Sequence, residues 1–161
     1  MDLESNLNRI RERIDQACAR VGRDPAGVTL MAVSKGQPPH AVRAAAELGL
    51  SLFGENKVQE AKIKIGQCPG RLHWQMIGHL QSNKCRDAVY LFEMIQSVDS
   101  LGLAEELDKT ALKMGQRKPI LLEVNVAGEA SKFGFKPEHL LSQLDGINAL
   151  KRLEIHGLMT M

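Results

Sequence analysis

The sequence predicts an α/β domain in which a parallel sheet is covered by helices. Short apolar runs of strand length alternate with longer segments that show the three-and-four spacing of amphipathic helices. This strict order of strand, helix and strand favours parallel pairing through right-handed crossovers. Each apolar run also ends in polar residues or glycine, where an α/β protein carries its chemistry. Six runs are candidate strands: VTLMAVS at 28–34, LSLFG at 50–54, LHWQMIG at 72–78, FEMIQSV at 92–98, PILLEVNV at 119–126 and LEIHGLMTM at 153–161.

An amphipathic helix is predicted at the start of the chain, because apolar residues recur at steps of three and four from Leu3 to Cys18 with charges between them. Five further helical segments connect the runs, at 40–48, 55–65, 79–91, 100–114 and 136–150. Ser100 or Asp99 is suited to cap the fourth of these, and Pro137 is suited to the first turn of the fifth. Each segment is long enough to be a crossover helix.

Two architectures fit this order, an open doubly wound sheet and a (β/α)8 barrel. A dinucleotide-binding sheet favours GxGxxG after its first strand, but the turn here reads KGQPP at 35–39. A barrel places its chemistry at the carboxyl ends of the strands. Those ends carry Lys35, then Glu55 and Asn56, then Gly78 and His79, then Ser97 and Asp99, then Asn125, then Met159 and Thr160.

Composition excludes several functional classes. The 161 residues are enough for one domain over 1–161, and 43% hydrophobic with 25% charged residues is typical of soluble proteins. The net charge is +2, charges of both signs are interspersed and aromatic residues make up 4%, which argues against nucleic acid and membrane surfaces. Cys18, Cys68 and Cys85 show no CxxC spacing, so we expect no metal site and a reducing cytoplasm.

Six motifs occur in register along the chain. They are AVSK at 32–35, FGENKVQE at 53–60, IGHLQSNK at 77–84, SVDS at 97–100, VNVAGEASKFGF at 124–135 and HGLMTM at 156–161. In this order the sequence resembles the pyridoxal phosphate homeostasis proteins. The resemblance implies the barrel of the alanine racemase N-terminal domain, with pyridoxal 5'-phosphate held as a Schiff base on Lys35.

The chemistry of a lysine at a strand end agrees with this expectation. An aldehyde condenses with a neutral amine, and burial at the end of a core strand disfavours the ammonium form. Alternation along the strand would also place Val33 and Lys35 on one face and Ser34 on the other. We therefore expect a buried, nucleophilic amine at Lys35. A solvated lysine at a strand end is the ordinary alternative.

The resemblance assigns other positions to the cofactor, each beside a structural alternative. Asn56 and Asn125 are expected to bind the cofactor ring or order its neighbours, or else to close turns. Lys132 is expected at the mouth of the site, or else in solvent. Met159 is expected to pack on the pyridine ring, or else in the core. His79 is expected near the site or at the start of a helix.

This sequence departs from the family in a few places. Gly36 and Gln37 replace a more basic pair, Lys57 replaces a frequent tyrosine, and Gln75 stands where a histidine is common. The glycine- and serine-rich segment and the Arg-x-Gly-Thr turn that cradle the phosphate in strands seven and eight of the family are not in this sequence. We therefore expect six βα units, weak hold on the phosphate and open sheet edges that favour association.

Two functions follow from the resemblance. The first is a cofactor homeostasis or carrier protein that supplies apo-enzymes, has no turnover of its own and is a monomer or weak dimer. The alternative is a pyridoxal phosphate-dependent amino-acid racemase. Racemisation requires a second acid or base on the opposite face of the cofactor. Since the only tyrosine, Tyr90, is predicted near the end of a crossover helix, the carrier function is favoured.

Overall fold

The fold is seen in a computed structural model that describes residues 2–129 and 132–161. The described residues form six strands: β1 (Ala32–Val33), β2 (Leu52–Glu55), β3 (His73–Met76), β4 (Met94–Val98), β5 (Lys118–Glu123) and β6 (Leu153–Met159). They also form six α-helices: α1 (Leu3–Arg20), α2 (Pro39–Glu47), α3 (Val58–Ile65), α4 (Cys85–Leu91), α5 (Leu101–Lys113) and α6 (Pro137–Asn148). Short 3₁₀ helices lie at Pro25–Gly27 and Ser82–Lys84.

The strand order decides between the two predicted architectures. The strands lie side by side in chain order from β1 to β6, and every pair is parallel. In a doubly wound sheet the order in which strands are added reverses at a switch point, whereas in a barrel each strand is added beside the preceding one. The sequential order therefore confirms the barrel type. In the described part of the chain, β1 pairs with β2 alone and β6 with β5 alone.

The helix boundaries follow local sequence signals. Ser100 caps α5 as predicted, since its Oγ accepts a hydrogen bond from the Leu103 N–H at 3.3 Å. Pro137 is the first residue of α6, also as predicted. The first strand is shorter than predicted, since only Ala32 and Val33 pair with β2, opposite Phe53 and Gly54.

The hydrophobic core lies between the sheet and the helices. Alternate strand residues face the helices and are almost wholly buried, among them Phe53, Trp74, Met76, Ile95, Ile120 and Leu122. Leu103 and Leu107 of α5 close this layer from outside. The opposite face of the sheet, here called the inner face, is more open: Val33 is 51% exposed, and Gln75 and Gln96 are half-buried and hydrogen-bonded to each other. The core thus fixes the strands from one side and leaves the inner face of the sheet more accessible.

Candidate functional site

Lys35 occupies a tight turn directly after β1. The turn runs from Ser34 to Gln37, whose N–H donates to the Ser34 carbonyl at 3.0 Å. Gly36 has a φ of +69°, and no non-glycine residue in the described part of the chain has a positive φ. This combination defines a type II turn with Lys35 in its second position, and only glycine adopts the third position without strain. The turn presents the lysine at the carboxyl end of the strand.

The side chain of Lys35 is exposed, so the expectation of a buried amine is wrong. Ser34, its neighbour, is 4% exposed and packs towards α3, whereas Val33 on the other side is 51% exposed. The alternation of faces was therefore correct. The side of the strand that carries the lysine is the open one, and this explains the exposure.

The two lysines assigned to the cofactor differ in their bonding. Lys132 Nζ donates to Glu129 Oε1 at 2.8 Å and forms an ion pair with it. For Lys35, no hydrogen bond or ion pair reaches Nζ from residues 2–129 or 132–161. An amine bonded as an ammonium to a carboxylate is a poor nucleophile. Lys35 is therefore the better candidate for condensation with an aldehyde.

Asn125 closes the loop after β5. Its Nδ2 donates to the carbonyls of Glu129 at 2.8 Å and Lys132 at 3.1 Å. Its Oδ1 is buried and lacks a hydrogen-bond partner among the described residues. The amide nitrogen thus has the predicted turn-closing role, and the oxygen is left as an acceptor for another donor. Two residues of this motif, Ala130 and Ser131, lie outside the described residues.

Asn56 is half-buried directly after β2, and its backbone is in close contact with Gly78 after β3. A Cβ at Gly78 would lie 2.5 Å from the Asn56 carbonyl oxygen and 2.6 Å from its Cα. The Gly78 carbonyl also accepts a 2.6 Å hydrogen bond from the buried Ser97 Oγ. Glycine at this position therefore sets the placement of Asn56, because a side chain there would clash with the Asn56 backbone.

Replacing Gly78 with alanine should lower the free energy of unfolding by at least about 1–3 kcal/mol, because the new methyl group meets backbone rather than a mobile side chain. Gly54→Ala is a matched control. Its Cβ would also lie within 3.0 Å of other atoms, but these are Met31 Sδ at 2.7 Å and Ile77 Cδ1 at 2.8 Å, the ends of flexible side chains. Urea unfolding of both variants measures the difference. Equal costs would contradict the close packing of Asn56 on Gly78.

His79 belongs to a second group of residues at the carboxyl ends of β3, β4 and β5. Its Nδ1 lies 2.8 Å from Asp99 Oδ2, and its ring stacks on Phe133 with centroids 3.7 Å apart and planes at 10°. His79 therefore has an orienting carboxylate, which the sequence did not predict. Asp99 was already placed at a strand end, but Phe133, in the predicted loop motif, gave no signal of stacking.

Glu123, the last residue of β5, completes this group. It is 8% exposed, and burial raises the pKa of its carboxyl above the ordinary 4.5; the nearby Asp99 raises it further and His79 opposes it. In the folded chain the carboxyl keeps a proton that the unfolded chain releases. The stability associated with Glu123 is therefore full below pH 4.5 and falls as the pH rises through the higher folded-state pKa.

Glu123→Gln should remove this pH dependence. We expect the variant to gain melting temperature relative to the unmodified chain near pH 7 and to gain little near pH 4, since only at the higher pH does the native carboxyl bear a buried charge. Glu138→Gln, at an exposed position in the first turn of α6, is the control. If the melting temperatures of Glu123→Gln and the unmodified chain differ by the same amount at both pH values, the raised pKa of Glu123 is contradicted.

Met159 ends β6 and is half-buried. It pairs with Glu123 in the sheet, and its carbonyl accepts from the Val124 N–H at 2.8 Å. The Thr160 hydroxyl donates to the Val124 carbonyl at 3.0 Å. The Met159 backbone thus joins the end of β6 to the end of β5, which Asn125 follows. The role of its side chain towards a ring stays a prediction.

A buried charged network lies under the Lys35 turn and was not predicted. Lys64 Nζ donates to the Ser34 carbonyl at 2.6 Å, to Glu60 Oε1 at 2.9 Å and to Glu55 Oε1. Ser34 Oγ donates to the same Glu55 oxygen at 2.7 Å. The spacing of Glu60 and Lys64 by four residues is the one local sequence signal for part of this network.

Among residues 2–129 and 132–161, no group of three or more His, Cys, Asp or Glu side chains has an arrangement that would hold a metal ion. No helix in the described part of the chain is both long and apolar enough to cross a membrane.

A sequential parallel arc of βα units with a lysine after the first strand defines the class of alanine racemase N-terminal domains, and the family described as "Alanine racemase, N-terminal domain" matches residues 5–161. Within that class, the pyridoxal phosphate homeostasis protein of Pseudomonas aeruginosa is 40% identical over 162 residues, covering 99% of this chain and 70% of the relative. This chain belongs to the pyridoxal phosphate homeostasis protein family.

Solved structures agree with this assignment. PipY of Synechococcus elongatus PCC7942, in a structure with PLP bound, is 38% identical and has a TM-score of 0.78 over 92% of this chain and 69% of PipY. An alanine racemase of Clostridium difficile 630 has a TM-score of 0.67 at 17% identity, over 83% of this chain and 35% of the racemase. At that identity the likeness to the racemase supports the fold alone.

Proposed function

We propose that this chain binds pyridoxal 5'-phosphate as a Schiff base on Lys35 and serves in the homeostasis or carriage of that cofactor without turnover of a substrate. Membership of the family and the PLP-bound structure of PipY support the ligand. The observation that carries the assignment to Lys35 is its amine, which is exposed and unbonded within the described residues, whereas Lys132 is paired with Glu129.

The residues present fit an aldehyde ligand. The ligand supplies an electrophilic carbon, and condensation with Lys35 Nζ forms one C=N bond and releases one water. In this proposal the buried Asn125 Oδ1, which has no partner among the described residues, accepts a hydrogen bond from the ligand, and Asn56, fixed against Gly78, borders the site. Lys132 is a cation at the rim and Met159 an apolar contact for the ring. Each role uses a group that the carboxyl ends of the strands already present.

Cys18, Cys68 and Cys85 are all free thiols, as expected of a protein from a reducing compartment such as the cytoplasm. The recipients of the cofactor would be apo-enzymes that use pyridoxal 5'-phosphate, and the proposed working state is a monomer or weak dimer. Residues 1–161 would act as one cofactor-binding unit.

A racemase on this fold is the alternative function, and the position of Tyr90 weighs against it. Tyr90 lies on α4 and is 74% exposed, on the layer that covers the outside of the sheet. An acid or base that returns a proton to the opposite face of a bound amino acid must reach the reacting carbon. A tyrosine on the outer layer does not meet that requirement.

The carrier function is tested by α-proton exchange. The chain loaded with pyridoxal 5'-phosphate is incubated with L-alanine in deuterated water and followed by proton NMR. We expect the α-proton to remain, and we expect the same loaded chain to restore activity to an apo-aminotransferase. Exchange that requires Lys35 and is lost in Lys35→Ala would establish the racemase alternative instead.

A further inference from the structure

The backbone of Lys35 is held on both sides by charged side chains. The carbonyl of the peptide that precedes it belongs to Ser34 and accepts from Lys64 Nζ at 2.6 Å. The N–H of the peptide that follows it belongs to Gly36 and donates to Glu60 Oε1 at 2.6 Å. Both peptide planes next to the Lys35 Cα therefore have a fixed partner, although its side chain has none in the described part of the chain. We call Glu55, Glu60 and Lys64 the turn clamp.

Lys64 is the centre of the turn clamp. Its side chain is 4% exposed, and its ammonium has three acceptors for three N–H donors: the Ser34 carbonyl, Glu55 and Glu60. Burial disfavours the ammonium, but the hydrogen bonds to Glu55 and Glu60 outweigh it and raise the pKa of Lys64. Lys64 therefore stays charged in the folded chain near neutral pH.

Glu60 joins the clamp to the turn through a single oxygen. Its Oε1 accepts from both Lys64 Nζ and the Gly36 N–H. These two bonds, that from Lys64 first, lower the pKa of the Glu60 carboxyl. Glu60 is thus an anion held in place by a buried cation and aimed at a backbone donor. Hydrogen bonds of this kind are stronger than those between neutral groups.

We propose that Glu60 and Lys64 are positioning residues. They fix the φ and ψ angles of Lys35, so that its side chain extends towards an aldehyde from a single backbone conformation. This inference rests on the proposed function. A lysine side chain has many rotamers, and each backbone angle left free would add to the entropy lost when a ligand fixes the amine. A clamped backbone with an unbonded side chain reduces that loss while leaving the amine free to react.

Ligands with and without an aldehyde should respond differently to loss of a positioning residue. Pyridoxal 5'-phosphate needs the amine of Lys35, whereas pyridoxamine 5'-phosphate has no aldehyde and forms no Schiff base. Loss of a positioning residue should therefore weaken the binding of pyridoxal 5'-phosphate more than the binding of pyridoxamine 5'-phosphate. A change that merely loosened the fold would weaken both alike.

Three variants test the clamp in the complete chain. Glu60→Ala removes the acceptor for Gly36, Glu60→Gln keeps an oxygen without the charge, and Glu138→Ala removes an exposed glutamate from the first turn of another helix, α6. Urea unfolding first establishes that all three are folded. Amide hydrogen exchange at Gly36 is then measured by NMR without ligand, and the dissociation constants of the two ligands by absorbance and calorimetry.

We expect Glu60→Ala to speed exchange at Gly36 by about tenfold or more, as loss of a charge-assisted hydrogen bond implies. We expect Glu60→Ala to raise the dissociation constant of pyridoxal 5'-phosphate by about three- to tenfold and that of pyridoxamine 5'-phosphate by less than twofold. Glu60→Gln should give an intermediate change, and Glu138→Ala should leave both constants unchanged. Faster exchange with equal losses for both ligands, or with none, would overturn the positioning role.

Failure of the proposed function gives a different result. If the unmodified chain forms no Schiff base, the function is wrong, and exchange at Gly36, which requires no ligand, still tests the clamp. Unchanged exchange in Glu60→Ala would then overturn the clamp as well, whereas faster exchange would support its hold on the turn.

Discussion

Lys35→Ala should abolish the absorbance band that pyridoxal 5'-phosphate acquires on forming a Schiff base with the chain. The variant removes the amine and leaves the turn intact, because the clamp binds only backbone groups and Ser34 around this residue. Because the Lys35 side chain is exposed, its removal should change the melting temperature little. We expect complete loss of the band at ligand concentrations that saturate the unmodified chain.

Lys132→Ala is the matched control for this experiment. Its amine is bonded to Glu129, so its loss should remove a rim cation and weaken binding without removing the band. Lys62→Ala, on the exposed face of α3, should change neither. A band of full size in Lys35→Ala that disappears in Lys132→Ala would reverse the two assignments.

Lys64→Met should cost about 3–5 kcal/mol of unfolding free energy, the cost of leaving a buried charge without its partner. Glu55 is fully buried, and its Oε2 already lacks a hydrogen-bond partner in the described residues, so little else is available to compensate its charge. Lys62→Met, two residues earlier on α3, removes an exposed lysine that lies 3.7 Å from Asp87, and should cost about 0–1 kcal/mol.

A double variant separates the lost charge pair from lost packing. Glu55→Gln in the Lys64→Met background keeps an oxygen that Ser34 Oγ can donate to and removes the uncompensated charge. We expect it to restore much of the stability in urea unfolding, because a buried pair is costly chiefly when one partner is missing. A Lys64→Met variant as stable as Lys62→Met would show that the buried ion pair does not support the fold.

The order of the elements could be predicted because its signals are local. Periodicity distinguishes β4 from α5 within a few residues, and Ser100 and Pro137 mark helix starts without reference to the rest of the fold. The parallel pairing then follows from the alternation, and it brings Lys35 and Asn56 to one edge of the sheet. Gly78 was placed at a strand end on the same basis, and the structure adds its close contact with Asn56.

The turn clamp could not be predicted because its bonds join distant parts of the sequence. Ser34 and Glu55 are 21 positions apart, and Ser34 and Lys64 are 30 apart. A buried lysine is also unexpected from composition, since lysine is rarely buried unless it is paired. The exposure of Lys35 was missed for a related reason: apolar residues before a strand end do not tell which face of the sheet remains open.

The central claim is the covalent attachment of pyridoxal 5'-phosphate to Lys35, and borohydride reduction of the unmodified chain tests it most directly. Reduction fixes a Schiff base as a stable secondary amine, and proteolysis followed by mass spectrometry locates the added mass. We predict the label on the peptide that contains Lys35, at a ratio approaching one per chain. A label confined to the peptide that contains Lys132, or spread evenly over exposed lysines, would contradict the claim.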